Sequence, residues 1–251
     1  MTKINNFDAW AVLRQKQRKH GDNLPERFVE KPAMKRLLPD LHGKKVLLLG
    51  CGTGEESLLV ARRGAVDMIG IDISKESIRI AKESYPKTAF AVGDMHKLAF
   101  EDASFDFIYS SLVVHYSARP ESVYREILRV LKPGGVLQFS VGHPMRWASE
   151  RIELDGVTTK LLGYSESAAK PRLYGTYSTF KPCTETFPSG ESLRFWVASP
   201  STQFKLLRKV GFVVEEFVET QPVAACKKVD QYYYERNHEF PQFCVFVARK
   251  V

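Results

Sequence analysis

A chain of 251 residues that is 44% hydrophobic and 26% charged can bury an ample core in one globular domain, and its composition excludes large-scale disorder. No run approaches the ~18 apolar residues a bilayer span needs, and residues 1–21 lack the apolar stretch of a signal peptide, so a soluble cytoplasmic protein without membrane contact is expected. Cys51, Cys183, Cys226 and Cys244 form no C-x-x-C pair, which speaks against a zinc site or disulfide framework and for reduced thiols.

Much of the net charge of +8 comes from the start of the chain, where residues 1–45 hold eleven Lys or Arg against five Asp or Glu. The densest run, Arg14-Gln15-Lys16-Gln17-Arg18-Lys19-His20, sits beside Phe7, Trp10, Val12 and Leu13. It reads as a solvated helix face or, less simply, as an arm for nucleic acid.

In chain order, residues 7–19 and 25–38 are predicted helices, with Pro32 a kink in the second. Residues 45–49 form a first strand and 55–63 a helix; 66–71 and 74–84 repeat the unit, with Ser74 and Ser77 in a cap. Strands follow at 88–92 and 105–110. A helix over 121–131 carries apolar Val123, Ile127, Leu128, Val130 and Leu131, and Pro133-Gly134-Gly135 stops it before a strand at 136–141. This alternation predicts an open α/β sheet, doubly wound and mostly parallel, with ligands beyond the carboxyl ends of its strands.

Residues 144–199 are rich in aromatics, namely Trp147, Tyr164, Tyr174, Tyr177, Phe180, Phe187, Phe195 and Trp196. Short strands are expected there, including a hairpin of 177–187 and 191–197 turning at Pro188-Ser189-Gly190. A helix over 201–210 ends at Gly211. A strand at 212–218, a mixed segment bearing Tyr232-Tyr233-Tyr234 and a strand at 243–248 complete the chain.

The stretch around which this pattern is organised is Val46-Leu47-Leu48-Leu49-Gly50-Cys51-Gly52-Thr53-Gly54-Glu55-Glu56-Ser57, a buried strand turning tightly into a helix. Glycine tolerates positive φ there and lets backbone N–H groups approach a ligand. The pyrophosphate fingerprint G-x-G-x-x-G would put its third glycine at position 55, where this chain has Glu55, a poor neighbour for a dianion. A ligand with a cationic or zwitterionic centre suits the loop better.

Gly50-Cys51-Gly52-Thr53-Gly54, then Gly70-Ile71-Asp72-Ile73-Ser74, Gly93-Asp94-Met95 and Leu131-Lys132-Pro133-Gly134-Gly135 follow one another in the order and spacing of class I S-adenosylmethionine-dependent methyltransferases, which residues 44–141 resemble. The resemblance implies a Rossmann-like seven-stranded sheet whose last strand is antiparallel. It implies an N-terminal helical lid over residues 1–43, with Trp10, Arg14 and Lys31 as candidates for the methionine end of the cofactor. Residues 44–141 would be the cofactor-binding core, 142–199 a substrate cap or a dimer contact, and 200–251 the completion of the sheet, in one domain that is a monomer or homodimer.

By the same resemblance S-adenosyl-L-methionine is the cofactor, held by Gly50, Cys51, Gly52, Gly54, Asp72, Ile73, Asp94 and Met95. Asp72 would take the ribose hydroxyls and Asp94 the adenine amino group, flanked by Ile73 and Met95. The acid many relatives carry two residues before the first loop glycine is Leu48 here, and Glu55 is the nearest replacement.

His115 and His143, each just after a strand, are candidate general bases, a role methyl transfer requires only for some acceptors. The expected reaction is methyl transfer to a small molecule. An RNA methyltransferase using the basic arm, a nicotinamide-dependent oxidoreductase and a non-enzymatic cofactor binder are the alternatives. The near balance of charge in the aromatic insertion favours an uncharged or zwitterionic acceptor.

Overall fold

The computed structural model describes residues 5–20, 23–166, 169–186 and 190–251, without the side chains of residues 18–20. Helix α1 (Phe7–His20) is followed by a π-helical turn at Glu26–Glu30 that runs directly into α2 (Lys31–Leu37). Residues 24–37 are thus helical without a break, and Pro32 lies inside the helix just past the π-helical turn, a local widening of the ladder at a residue that has no N–H to give it.

The core alternates β1 (Lys45–Leu49), α3 (Glu56–Ala61), β2 (Asp67–Asp72), α4 (Lys75–Ser84), β3 (Ala89–Val92), β4 (Phe105–Ser111), α5 (Pro120–Val130) and β5 (Leu131–Gly142). Next come a short α6 (Pro144–Trp147) and three small antiparallel pairs: β6 (Glu150–Leu154) with β7 (Val157–Leu161), β8 (Gly163–Tyr164) with β9 (Leu173–Tyr174), and β10 (Lys181–Thr186) with β11 (Ser192–Val197). Helix α7 (Pro200–Val210), β12 (Phe212–Glu219), α8 (Gln231–Glu239) and β13 (Phe243–Lys250) complete the fold.

Seven strands form one sheet in the order β12-β13-β5-β4-β1-β2-β3. Strand β13 is antiparallel to both its neighbours, while β1 to β5 run parallel. Side-chain alternation sorts β1 between two cores. Leu47 and Leu49 pack with the buried stripe Val123, Tyr124, Ile127 and Val130 of α5 and with Leu207 of α7. Val46 and Leu48 pack on the other face with Met34, Leu38, Val60 and Ile78. Each such fully buried side chain contributes about 1.5–3 kcal/mol.

Local signals agree with these packings. Ser74 caps α4 by accepting the Ser77 N–H, and Gly211, at φ +119°, closes α7 in a left-handed conformation. The predicted hairpin forms with shorter strands, and residues 187–189 of its turn lie outside the described residues. Helix α8 takes the place of the mixed tyrosine segment; Asp230 caps it by accepting the Tyr233 N–H at 2.8 Å.

Candidate functional site

The carboxyl ends of β1, β2, β4 and β5 open into one cavity of about 600 Å³, walled by α1 on one side and by β10 and β11 on another. At one end lie Gly50, Cys51, Gly52 and Thr53, with Asp72, Ile73, Asp94 and Met95; at the other lie His115, Tyr116, Arg146, Trp147, Glu185 and Phe195. Gly54 is not part of the wall. Its Cβ would come within 2.9–3.0 Å of Tyr85, Ala81 and Phe90, so it serves the packing of the turn.

The glycine turn is built on positive φ: +67° at Gly50, +52° at Gly52 and +92° at Gly54. A Cβ on Gly50 would lie 2.2 Å from the Val113 side chain, whereas one on Gly52 would meet nothing within 4 Å. Gly52 is therefore a backbone cradle with room for a ligand in front of it. The Asp72 carboxylate braces this cradle, accepting the Gly52 N–H on Oδ2 and the Ser74 N–H on Oδ1, both at 2.9 Å. Each carboxylate oxygen retains a lone pair, so a diol can still be bound. Burial raises the Asp72 carboxyl above its ordinary range, and the two amide donors offset only part of that rise.

Asp94 is half-exposed and accepts the His96 amide and ring on Oδ1, each at 2.8 Å. Burial pushes its carboxyl up, but these bonds win and hold it below the usual value. Ile73, 56% exposed, presents an apolar surface to the cavity. Cys51 lines the cavity but is buried, and burial together with nearby Asp72 drives its thiol well above the ordinary value, which makes it a packing residue.

Leu48 faces the core under α2, with 1% of its surface exposed, so a carboxylate there would be buried among apolar side chains. Glu55 does not line the cavity; it accepts the Thr53 hydroxyl at 2.9 Å. The acids that line the glycine-turn end beyond Asp72 and Asp94 are Glu26, paired with Arg14, and Glu56, paired with Lys31 at 3.0 Å. Trp10 and Arg14 reach the cavity and Lys31 does not. Glu26 and Glu56 carried no sequence signal beyond their position next to a turn.

Helix α1 is tied down at both ends of the site. Asp8 accepts the Ser74 hydroxyl at 2.6 Å and the Glu76 N–H at 3.1 Å. Asn5 clasps the backbone of Arg194 in β11, donating to its carbonyl at 3.0 Å and accepting its N–H at 2.6 Å. The start of α1 and the hairpin thus share an edge, and Phe7 meets Tyr116 edge-on at 5.1 Å.

The two histidines part company. His143 does not line the cavity: it is buried, its Nδ1 accepts the Met145 N–H at 3.1 Å to cap α6, and its Nε2 lies 3.0 Å from Glu219. Its expected role as a base gives way to a structural one. His115 does line the cavity, packed against Tyr116 and Phe195 with ring centroids at 4.6 and 5.5 Å. Its Nδ1 accepts the Gly142 N–H at 3.3 Å, which assigns the ring proton to Nε2. Burial pushes its pKa down to about 3, so the ring is neutral and too weakly basic to take a proton at neutral pH. Its Nε2–H is the one donor the ring has left. Burial likewise pushes the Tyr116 hydroxyl up to about 12.

A glycine cradle braced by a strand-end carboxylate, a second acid at the next strand end and a walled compartment beside them lie at the carboxyl edge of a Rossmann-like α/β sheet. The fold and the motifs of its core are those of the class I S-adenosylmethionine-dependent methyltransferases. Residues 47–139 match the family model described as a methyltransferase domain.

A Mesorhizobium loti S-adenosylmethionine-dependent methyltransferase of known structure superposes with a TM-score of 0.73 at 26% identity, covering 88% of this chain and 97% of that one. An uncharacterized Haemophilus influenzae protein is 37% identical over 150 residues, which is 57% of this chain and 59% of that one. A malonyl-[acyl-carrier protein] O-methyltransferase of Herminiimonas arsenicoxydans is 39% identical over 107 residues, 42% of this chain and 40% of that one. The chain thus spans about two fifths to three fifths of the length of these curated relatives. Among the described residues no helix is long and apolar enough to cross a membrane, and no group of three His, Cys, Asp or Glu is placed to hold a metal.

Proposed function

We infer that this protein transfers a methyl group from S-adenosyl-L-methionine to a small-molecule acceptor. The observation that carries the reading is the single cavity in which the Gly52 cradle and Asp72 lead directly into an aromatic compartment of Tyr116, Trp147 and Phe195. The cofactor residues fit the group. Gly52 has open space before it, Asp72 keeps lone pairs for a ribose, and with Glu26 paired to Arg14 and Glu56 to Lys31 it is Asp72 and Asp94 that give the cofactor end a sign that suits a cationic centre. When bound, the cofactor supplies an electrophilic methyl group on a sulfonium.

The work left to the chain is alignment and exclusion of water. Phe7, Tyr116, Trp147 and Phe195 wall the compartment; His115 offers Nε2–H to fix an acceptor by its oxygen or nitrogen lone pair. With His115 neutral and His143 away from the cavity, the reading needs no histidine base. The small-molecule reading is favoured over RNA because the arm's Trp10 and Arg14 turn into the cavity and Arg14 pairs with Glu26.

Mass spectrometry of the small molecules released on denaturing the purified protein tests the reading. S-adenosylmethionine or S-adenosylhomocysteine is expected, and a nicotinamide dinucleotide in their place would overturn it.

A further inference from the structure

Arg146 stands apart from the other cations of the cavity. Arg14 is paired with Glu26, and Lys31, just outside, with Glu56, yet no carboxylate forms an ion pair with the Arg146 guanidinium among the described residues. Its Nε is buried without a hydrogen-bond partner, and its guanidinium lies over the Trp147 ring, 5.0 Å from the centroid. A buried donor in this state is rare enough to require an explanation.

The surroundings add to the imbalance. Lys160 sits 5.5 Å from the same ring, its ammonium donating to the Arg146 carbonyl at 3.5 Å. Arg151 and Arg236 also bear on Arg146 by charge, and the one carboxylate that does is Glu185, across the cavity in β10. Both Arg146 and Lys160 are held below their ordinary pKa by burial first, Lys160 then by the charge of Arg146 and Arg146 by those of Arg236 and Arg151. The near balance of charge along residues 142–199 therefore hides a local separation: the cations of α6 and β7 gather at the acceptor end, as the acids gather at the cofactor end.

We propose that Arg146 is the recognition residue for an oxyanion, a carboxylate or a phosphate, carried by the methyl acceptor. A guanidinium stacked on an aromatic face presents its N–H groups in a fixed fork that matches such a group, and Trp147 and Phe195 would flank the acceptor's apolar part. Ligand charge would also relieve the repulsion between Arg146 and Lys160. The proposal rests on the methyltransferase reading of the cavity and adds to it the chemical class of the acceptor.

Matched fragments test it by calorimetry on the protein saturated with S-adenosylhomocysteine: benzoate, phenyl phosphate and neutral benzamide. One of the two anions is expected to bind at least about tenfold more tightly than benzamide, and the one that does names the carboxylate or the phosphate. Arg146→Gln is expected to remove that preference, with Arg146→Lys retaining part of it. Arg151→Gln, which deletes the same charge from an exposed position, is expected to change it less than about twofold.

Benzamide binding as tightly as both anions, neither anion binding, or Arg151→Gln weakening the anion as much as Arg146→Gln would each overturn the proposal. Titration of S-adenosylhomocysteine into every variant reports folding. Failure of the parent protein to bind it would count against the methyltransferase reading instead.

Discussion

The two ends of the cavity are built by different means. At the end proposed for the cofactor the surface is mainly backbone: Gly50 and Gly52 at positive φ, Asp72 bonded to two amides, and an acid at the next strand end, all hung on five parallel strands. At the end proposed for the acceptor it is made of side chains, on a four-residue helix and small antiparallel pairs held by the cluster of Ala148, Phe195 and Val197 with Tyr116 and Trp147. Backbone geometry tolerates almost no change in sequence, whereas side-chain pockets can be rebuilt on the same frame, which is how one fold serves many acceptors.

The sharpest way to break this comparison is a pair of glycine substitutions. Gly50→Ala places a Cβ 2.2 Å from Val113 at φ +67°, and is expected to cost about 2–4 kcal/mol in urea unfolding and to abolish cofactor binding. Gly163→Ala, in β8 of the insertion, meets nothing within 4 Å and is expected to change stability by less than about 1 kcal/mol. Equal losses at both sites would remove the contrast.

Asp72→Asn comes next. It keeps one acceptor for the Gly52 or Ser74 N–H but loses the charge offered to the ribose, so affinity for S-adenosylhomocysteine is expected to fall by about 1.5–3 kcal/mol in calorimetry. Asp72→Ala is a poorer probe than the sequence suggests, since it also strips two buried amides of their partner.

A smaller effect separates the ends by pH. The His115 value of about 3 lies below its unfolded value of 6.5, so the unfolded chain binds the extra proton. Its contribution to stability is complete above pH 6.5 and is lost as pH falls from 6.5 toward 3. His115→Gln is expected to flatten that part of the stability curve, and turnover of the parent protein is expected to show no histidine limb between pH 6 and 8. Glu30 has the opposite sense. It is buried at the end of the π-helical turn, and its carboxylate accepts the Ser111 and Ser140 hydroxyls at 2.8 and 2.6 Å; burial raises its pKa above the ordinary 4.5. Its stabilisation is present below 4.5 and falls as pH rises toward the folded value, so Glu30→Gln, which keeps both bonds, is expected to remove that decline.

How much of this was legible follows the same divide. Strand-to-glycine turns, Asp72 and Asp94 were readable because a parallel sheet sends its loops to one edge and the apolar runs mark the strands. What escaped depends on direction rather than position. His143 follows β5 as directly as His115 follows β4, yet it turns to cap α6, and nothing in its local sequence sets that direction. Glu55 and Glu56 are adjacent, and only the pitch of α3 sends the second into the cavity. Helix α8 was missed because it buries just Tyr233 and Asn237 among polar neighbours, although its Asp230 cap was there to be read. Arg146 looks like any surface arginine until Trp147 and the hairpins close over it.

The smallest expected effect concerns the basic arm. With Arg14 paired to Glu26 at the cavity, tRNA-sized RNA is expected to bind weakly or not at all at physiological salt, without the slope of about −0.7 in log affinity per neutralised phosphate that a single-strand track would give. Steep salt dependence removed by Lys16→Ala would shift the acceptor class to RNA and leave the cofactor end as described.

The central claim is that the Gly52 cradle and Asp72 form a site for S-adenosylmethionine. Calorimetric titration of the parent protein with S-adenosylhomocysteine and, separately, with NADH tests it most directly. Saturable binding of the thioether that Asp72→Asn weakens, with no heat from NADH, is the result this account requires; saturable NADH binding with no response to the thioether would contradict it.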